Sequence, residues 1–128
     1  MTATLYEAAR AYLGTPWLAA GRSRNGLDCV TLVLTALKDI GIDADPKRLA
    51  SYKTPIANCR SILSMGDEVS DAQPGDIVFW KLAGATHTGI LAPGAPLNII
   101  YARFRAYVEE ITFRADALNI RMIIRPRL

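Results

Sequence analysis

The stretch "GLDCVTLVLTAL", residues 26–37, decides the fold, because an apolar helical pattern begins there directly behind an Asp-Cys pair. Apolar side chains recur there at the spacing of one helical face: Cys29, Leu32, Val33, Ala36, Leu37 and Ile40. Gly41 follows the last of them and is a favourable residue for ending a helix. The pattern therefore predicts a central buried helix that begins near Asp28.

The chain before this helix predicts a shorter helix and a long loop. Apolar residues recur at helical spacing over Thr2–Leu13, and Gly14 and Pro16 end that pattern. The segment Thr15–Leu27 is rich in Gly, Ser, Arg and Asn, which is typical of a loop. Behind the central helix, two prolines interrupt residues 45–60, so we expect one or two short helices there.

The second half of the chain has the character of a β-sheet. After the turn signal "DAQPGD" at residues 71–76, short β-type runs alternate with loops that contain Gly and Pro. Five runs predict strands: Ile77–Lys81, Thr88–Ala92, Asn98–Ala102, Tyr107–Ile111 and Ile120–Arg125. Hairpin-type loops between the first three favour antiparallel pairing. Helices followed by strands indicate an α+β fold in which the central helix packs across the sheet.

The totals fit one globular domain. A chain of 128 residues with 51% hydrophobic and 21% charged residues is long enough to close one core and too short for two ordinary domains. We therefore expect a single domain over residues 1–128. No N-terminal stretch has the form of an export signal, and no run of about 18 apolar residues is present, so we expect neither a leader nor a membrane span.

The net charge of +3 raises the question of an anionic partner such as nucleic acid. The arginines of the C-terminal third are scattered singly, without the motif of a nucleic-acid-binding module, so we expect no such partner. One histidine and two distant cysteines, Cys29 and Cys59, cannot form a four-ligand metal site. We expect no metal and no cofactor. We also expect both cysteines to be thiols, with Cys59 as a packing residue.

Cys29 has a chemical and a structural interpretation. The thiolate is the nucleophilic form of cysteine, and the N–H groups at a helix N-terminus favour negative charge. A cysteine on an apolar helical face is also a common core residue. The only histidine, His87, stands at the start of a predicted strand, where it is a candidate base for the thiol. Asp28 is typical of a helix N-cap, which contributes about 1 kcal/mol.

Three stretches of the chain resemble the successive motif blocks of one known family. They are "YLGTPWLAAGRSRNGLDCVTLVLTAL" at 12–37, "QPGDIVFWKL" at 73–82 and "HTGILAPGAPLNIIYA" at 87–102. In order and spacing they resemble the NlpC-type cell-wall peptidases, which are papain-like cysteine hydrolases of bacteria and their phages. The resemblance implies a papain-like cysteine peptidase fold. Within the family, the chain is most similar to the short cell-wall peptidases encoded among the tail genes of phages and gene transfer agents.

The resemblance also implies a role for each matching residue. Cys29 falls on the nucleophile and His87 on the general base. Trp17 occupies the aromatic position where relatives commonly have an oxyanion-binding tyrosine, and the backbone N–H of Cys29 is a second oxyanion donor. The third catalytic position, often a second histidine, falls on Tyr101. Asn98 is the nearest amide that could take over its orienting role, and strict alternation places Asn98 and Tyr101 on opposite faces of the strand.

One further departure from the family follows the nucleophile. Relatives commonly have Ser-Gly after the Asp-Cys pair, and this chain has Val30 and Thr31. The small residue of the family allows close packing at that point. Because Thr31 is β-branched and larger, we expect either a narrower substrate cleft or a compensating shift of a neighbour.

The resemblance implies a cysteine hydrolase that cuts peptidoglycan stem peptides at the amide bond between D-glutamate and the diamino acid. It further implies a phage-tail peptidase, so we expect a virion-associated protein, or one made in the bacterial cytoplasm and delivered to the cell wall, with other tail-tip proteins as candidate partners. Two alternatives stay open. One is a structural tail component that keeps the fold with an impaired site. The other is an amidase or acyltransferase that uses the same Cys-His pair.

Overall fold

The fold is built from the helix of the Asp-Cys motif and an antiparallel sheet. The computed structural model describes residues 4–44 and 62–128. The short helices expected at 45–60, and the packing role of Cys59, lie outside these ranges. Within them the two α-helices precede the main sheet, and one short 3-10 helix, Ala115–Ala117, lies between its last two strands, which confirms the predicted α+β class. No helix of the described ranges is both long and apolar enough to cross a membrane.

The first helix, α1, spans Leu5–Arg10 and ends before the expected limit of Thr2–Leu13. It begins behind Thr4, whose side chain accepts a hydrogen bond from the backbone N–H of Glu7 at 3.2 Å. Residues 11–14 continue as turns in which backbone hydrogen bonds join residues three apart. The expected range is too long because these tighter turns keep apolar side chains at nearly helical spacing.

The central helix, α2, spans Cys29–Asp39, and Asp28 is its N-cap as predicted. A carboxylate oxygen of Asp28 accepts the N–H of Thr31 at 2.8 Å, and the Asp28 N–H donates to the Thr31 hydroxyl at 2.8 Å. This reciprocal capping box accounts for a threonine at the third helical position. Thr31 is fully buried and does not line the cleft described below, so this residue does not narrow it.

Six strands form the main sheet. Their bounds are β3 Gly66–Glu68, β4 Ile77–Leu82, β5 Ala85–Pro93, β6 Leu97–Ala102, β7 Val108–Thr112 and β8 Asn119–Pro126. They pair antiparallel in the order β3-β8-β4-β5-β6-β7. All five predicted strands are present, with small shifts at their ends. The short edge strand β3 has too few residues to show an alternating pattern in the sequence.

The loop before α2 contains a small hairpin that the sequence analysis does not predict. Strand β1, Arg22–Ser23, pairs antiparallel with β2, Gly26–Leu27. Trp17 forms a further bridge to Leu27, which is fully buried. Each strand has two residues, which is shorter than any detectable period, so the sequence over Thr15–Leu27 predicts only a loop.

Apolar layers cover both faces of the sheet. On one face, α1 and α2 pack against side chains such as Ile77, Phe79, Ile90 and Ile100. The other face carries a smaller cluster of buried residues: Val78, Trp80, Leu91 and Ile99. Strand β4 contributes to both clusters because alternate side chains point to opposite faces. The two layers bury the middle of the sheet and leave the head of α2 at its rim.

The Pro-Gly-Asp turn before β4 is anchored by an ion pair. Gly75 has a φ of +93°, a conformation that favours glycine, so the predicted turn is confirmed. Asp76 is 1% exposed and accepts bonds from the Nε and Nη2 of Arg125, both at 3.0 Å. The backbone N–H of Gln73 donates to the same carboxylate at 2.9 Å. The motif therefore ties the start of β4 to β8 in addition to making the turn.

Candidate active site

The N-terminus of α2 lies at a cleft of about 260 Å³. Four parts of the chain line it: Trp17, Ala19, Ala20, Asp28, Cys29, Val30, Ala85, Thr86, His87, Ala102 and Phe104. The cleft brings together five residues that the sequence singles out: Trp17, Asp28, Cys29, Val30 and His87. Tyr101, the expected third catalytic residue, is not among its lining residues.

Cys29 is the first residue of α2, and its half-buried side chain is a thiol. The backbone N–H groups of the first helical turn have no acceptor within the helix, and the helix dipole adds positive potential at this end. Both effects favour a thiolate at Cys29 and an oxyanion beside its backbone N–H. The position therefore suits a nucleophile better than a packing residue.

The Asp28 carboxylate stabilises both the N-terminus of α2 and the loop that forms one wall of the cleft. One of its oxygens caps α2, and the other, Oδ2, accepts the backbone N–H of Ala20 at 2.8 Å. Ala20 has a φ of +60°, which is uncommon for a residue with a side chain. The Asp28 carboxylate thus fixes a strained loop residue against the head of the helix. Its predicted role as helix cap is confirmed, and it has this second structural role.

His87 lies on β5 directly opposite Trp80 of β4. The two rings stack with centroids 5.8 Å apart and an angle of 20° between their planes. Burial lowers the pKa of His87 below the usual 6.5, and a hydrogen bond between the imidazole and the backbone of Leu82 offsets part of that effect. The imidazole is therefore neutral at pH 7, which is the state that a general base requires.

Tyr101 places its polar group away from His87. Its hydroxyl donates to the carboxylate of Glu109 at 2.5 Å, and its ring meets Trp80 edge-on at 6.0 Å between centroids. Burial, and next the bond to Glu109, raise the pKa of Tyr101 to about 12, so the phenol stays protonated. The polar partner of the His87 ring is the backbone of Leu82. Tyr101 reaches the imidazole only indirectly, through Trp80.

Asn98 belongs to a separate polar cluster. Its side-chain amide donates to Glu110 at 3.0 Å, and Arg10 holds the same carboxylate through two bonds of 2.9 Å. The bond from Arg10 is the main reason why the pKa of Glu110 lies below its usual value. This cluster joins α1 to β6 and β7. The expectation that Asn98 could orient His87 is therefore wrong, because its amide is committed to Glu110.

An aromatic pair forms one lip of the cleft. The ring of Trp17 meets that of Phe104 edge-on, with centroids 4.9 Å apart and an angle of 76° between the planes. The backbone N–H of Trp17 donates to the carbonyl of Ala106 at 2.9 Å, which fixes the loop before α2 to the turn after β6. Phe104 is 59% exposed, and the sequence analysis misses it. The only indication of Phe104 in the sequence is that a large aromatic residue follows a predicted strand.

The cleft contains the groups needed for nucleophilic acyl transfer. A thiol, a neutral imidazole and helix N–H groups line one cavity. In the part of the chain that the structure describes, no group of three or more His, Cys, Asp and Glu side chains is placed to hold a metal ion. Together with the helix packed on an antiparallel sheet, this arrangement defines a papain-like domain.

The sequence comparison identifies the family. The chain belongs to the NlpC/P60 family, whose sequence profile matches residues 14–102. Members of this family are cysteine peptidoglycan hydrolases. A comparison with curated proteins found no match.

Solved structures share the fold at low sequence identity. The NlpC/p60 domain of the peptidoglycan hydrolase SagA is 22% identical, with a TM-score of 0.65 and coverage of 97% of both chains. The peptidoglycan hydrolase RipB from Mycobacterium tuberculosis is 19% identical, with a TM-score of 0.71 over 98% of this chain and 64% of that one. NlpC2 from Trichomonas vaginalis is 18% identical, with a TM-score of 0.73 over 95% of this chain and 45% of that one.

Proposed function

We propose that this chain is a cysteine peptidase that hydrolyses an amide bond in the stem peptides of peptidoglycan. The observation that carries the proposal is that Cys29 and His87, which are far apart in the sequence, line one cleft at the head of α2. Membership of the NlpC/P60 family supports the substrate class, because its members are cysteine peptidoglycan hydrolases.

The first half of the reaction forms a thioester. His87 takes the proton of the Cys29 thiol, and the sulfur attacks the carbonyl carbon of the scissile amide. The backbone N–H of Cys29 donates to the oxyanion, and the indole N–H of Trp17 is the second donor. The C–N bond then breaks, and the protonated His87 gives its proton to the leaving amine.

The second half of the reaction restores the enzyme. His87 takes a proton from a water molecule, which attacks the thioester carbonyl. The bond between carbon and sulfur breaks, the new carboxylic acid leaves, and Cys29 regains its proton from His87. Each step uses only groups that line the cleft and one water molecule.

We assign the scissile bond to the amide between D-glutamate and the diamino acid. We also assign the protein to a phage tail. The support for the bond is the match of "DC", "PGD" and "HTG" to the motif blocks of the family in order and spacing. The support for the tail is the resemblance of the motif blocks at residues 12–37, 73–82 and 87–102 to those of peptidases encoded among phage tail genes. Delivery to the cell wall from a virion, beside other tail-tip proteins, is part of the same proposal.

Purified sacculi test the proposal. The wild-type protein should release new amino termini and soluble peptides from them, and Cys29→Ala should reduce the release to background. Arg114→Ala is a matched control, because Arg114 is exposed, pairs only with Asp116 among the described residues and does not line the cleft. Circular dichroism shows whether each variant is folded. Sacculi that stay intact with the folded wild type would refute the proposed activity.

Two observations favour a second candidate, a structural tail component with an impaired site. Trp17 replaces the common tyrosine, and the hydroxyl of Tyr101 is bonded to Glu109 and not to His87. This candidate predicts a folded protein that binds sacculi without cutting them. An acyltransferase, the other alternative, would instead join the acyl group to an added amine such as glycine ethyl ester, which mass spectrometry of the products detects.

A further inference from the structure

The imidazole of His87 needs a fixed orientation, because a general base works only when one ring nitrogen faces the group that it deprotonates. The two side chains that the sequence offers for this task are both committed elsewhere. The hydroxyl of Tyr101 donates to Glu109, and the amide of Asn98 donates to Glu110. Other groups must therefore hold the ring, and the structure places two of them against it.

The first of these groups is the indole of Trp80. Trp80 pairs directly with His87 across β4 and β5, and the two ring planes are inclined by 20°, with centroids 5.8 Å apart. Offset stacking of two aromatic rings is a favourable geometry. The stack restricts the tilt of the imidazole plane, whereas a single hydrogen bond would leave the ring free to rotate about the axis of that bond.

The second group is the backbone of Leu82, the last residue of β4. Its hydrogen bond with the imidazole acts to raise the pKa of His87, so the ring N–H donates and the Leu82 carbonyl accepts. Ala83 and Gly84, which follow, have φ values of +51° and +79° and form the tight turn that leads into β5. A neutral imidazole that donates from one nitrogen presents the other as an acceptor, so this bond selects the tautomer.

Trp80 is itself held in place from other directions. It is 5% exposed, and the ring of Tyr101 meets it edge-on at 6.0 Å between centroids. The pairing of β4 with β8 shifts beside it, since Phe79 pairs with Met122 whereas Trp80 pairs with Ile120. A bulge of this kind bends the strands and re-aims the side chains next to it. The indole is therefore a fixed surface for the imidazole.

We propose that Trp80 is a positioning residue for His87, and that its stack on the imidazole takes the place of the polar third residue of the family. The inference rests on the proposed function, in which His87 is the general base. Trp80 does not line the cleft that contains Cys29, so it acts through the imidazole. Tyr101 supports the indole with the edge of its ring, and its hydroxyl is not required to orient His87.

Two substitutions of Trp80 test the proposal during turnover. Trp80→Leu should lower kcat for the stem peptides about thirtyfold and leave KM within about twofold, because the base is misplaced while the cleft around Cys29 is unchanged. Trp80→Phe keeps an aromatic face against the imidazole and should retain kcat within about threefold. A loss in Trp80→Phe as large as that in Trp80→Leu, or a loss carried by KM, would overturn the inference.

Val78→Ala is the control for lost packing. Val78 lies two residues before Trp80 on β4, is fully buried in the same cluster and does not line the cleft. The variant should unfold at a lower urea concentration than the wild type and keep its kcat. A fall in kcat that follows the loss of stability alike in Val78→Ala and Trp80→Leu would show that Trp80 is only a packing residue.

Nuclear magnetic resonance of the His87 ring separates this inference from the proposed function, because it requires no turnover. In the wild type, the ring protons of Trp80 and His87 should show nuclear Overhauser effects, and the ring nitrogen shifts of the neutral imidazole should be those of one tautomer. Trp80→Phe should keep that tautomer. Trp80→Leu should show a mixture of both, because the ring can then turn away from the Leu82 carbonyl.

These spectra decide the inference even if the folded wild type cuts no peptide, in which case the proposed function alone fails. A single tautomer retained in Trp80→Leu would overturn the inference. If Trp80→Leu does not fold, the wild type and Trp80→Phe still decide it: missing Overhauser effects between the two rings, or a mixture of tautomers in either protein, would overturn it.

Discussion

The two sides of His87 are built differently. On the Cys29 side, the backbone N–H groups of Ala20 and Thr31 donate short hydrogen bonds to the Asp28 carboxylate, which fixes the loop and the helix together. On the other side, aromatic packing replaces hydrogen bonding: Trp80 stacks on the imidazole, and Tyr101 packs edge-on against Trp80. The local sequence therefore positions the nucleophile, whereas strand pairing in the sheet positions the base.

Loss of the imidazole of His87 should lower activity far more than loss of the Tyr101 hydroxyl. His87→Gln should lower kcat/KM for the stem peptides of peptidoglycan by about 10³-fold, because it removes the general base. Tyr101→Phe should lower it by less than about threefold, because the lost hydroxyl bonds Glu109 and not the imidazole. The measurement is the initial rate of release of amino termini.

Folding controls accompany this pair of variants. Both should keep the wild-type circular dichroism spectrum, since neither changes the packing of α2. A loss for Tyr101→Phe as large as that for His87→Gln would make Tyr101 part of the catalytic machinery and would remove the proposed difference between the two sides.

A smaller effect concerns the hydrogen-bonded side. Asp28→Ala should lower the free energy of unfolding by about 1–2 kcal/mol, because the first turn of α2 and Ala20 both lose their acceptor. Asp28→Asn keeps one carbonyl oxygen and should cost less than the alanine variant. Urea unfolding followed by circular dichroism measures both. Equal losses for the two variants would show that the charge, and not the capping geometry, matters here.

Thr88 allows the sheet to be stabilised without change to the site. Its hydroxyl oxygen is fully buried and has no hydrogen-bond partner among the described residues. Thr88→Val has the same shape and removes an unsatisfied polar group, so it should raise the free energy of unfolding by about 1 kcal/mol. Thr86→Val, at a cleft-lining residue of the same strand, is the control and should not stabilise the protein. A less stable Thr88→Val protein would contradict the account.

The smallest effect is the dependence of stability on pH. Because His87 is the only histidine in the chain, its ring proton signals can be assigned without ambiguity. Because burial lowers the pKa of His87, its ring proton signals should titrate with a midpoint below 6.5. The folded state then binds fewer protons than the unfolded one, so the contribution of His87 to stability is complete above pH 6.5 and falls as the pH drops through the folded pKa. A midpoint above 6.5 would show that burial does not control the pKa of the ring.

Local sequence patterns predict most of the helices and strands, and they predict the position of Cys29 in the site. The apolar face of α2, its Asp28 cap and the five alternating runs after residue 76 each depend on neighbours in the sequence, and the structure confirms all of them. Cys29 is found by the same means, because a helix N-terminus is a local feature. The role of Thr31 in the capping box is also local, although the residue differs from that of the family.

The rest depends on contacts between distant parts of the chain. The pair of Asp76 and Arg125 spans 49 residues, and no local pattern indicates it. The partner of the His87 ring is a backbone group, which carries no sequence signal. Tertiary packing, and not residue type, determines each of these features.

Chemical cross-linking with 1,3-dibromoacetone tests whether the Cys29 thiol and the His87 imidazole lie in one cleft. One carbon of the reagent alkylates the Cys29 sulfur with loss of bromide, and the other then alkylates a nearby nucleophile. If the thiol and the imidazole meet in one cleft, peptide mass spectrometry should find residues 29 and 87 joined, and His87→Gln should abolish the link. A reagent that is attached to Cys29 but joined to another residue, or to none, would contradict the account.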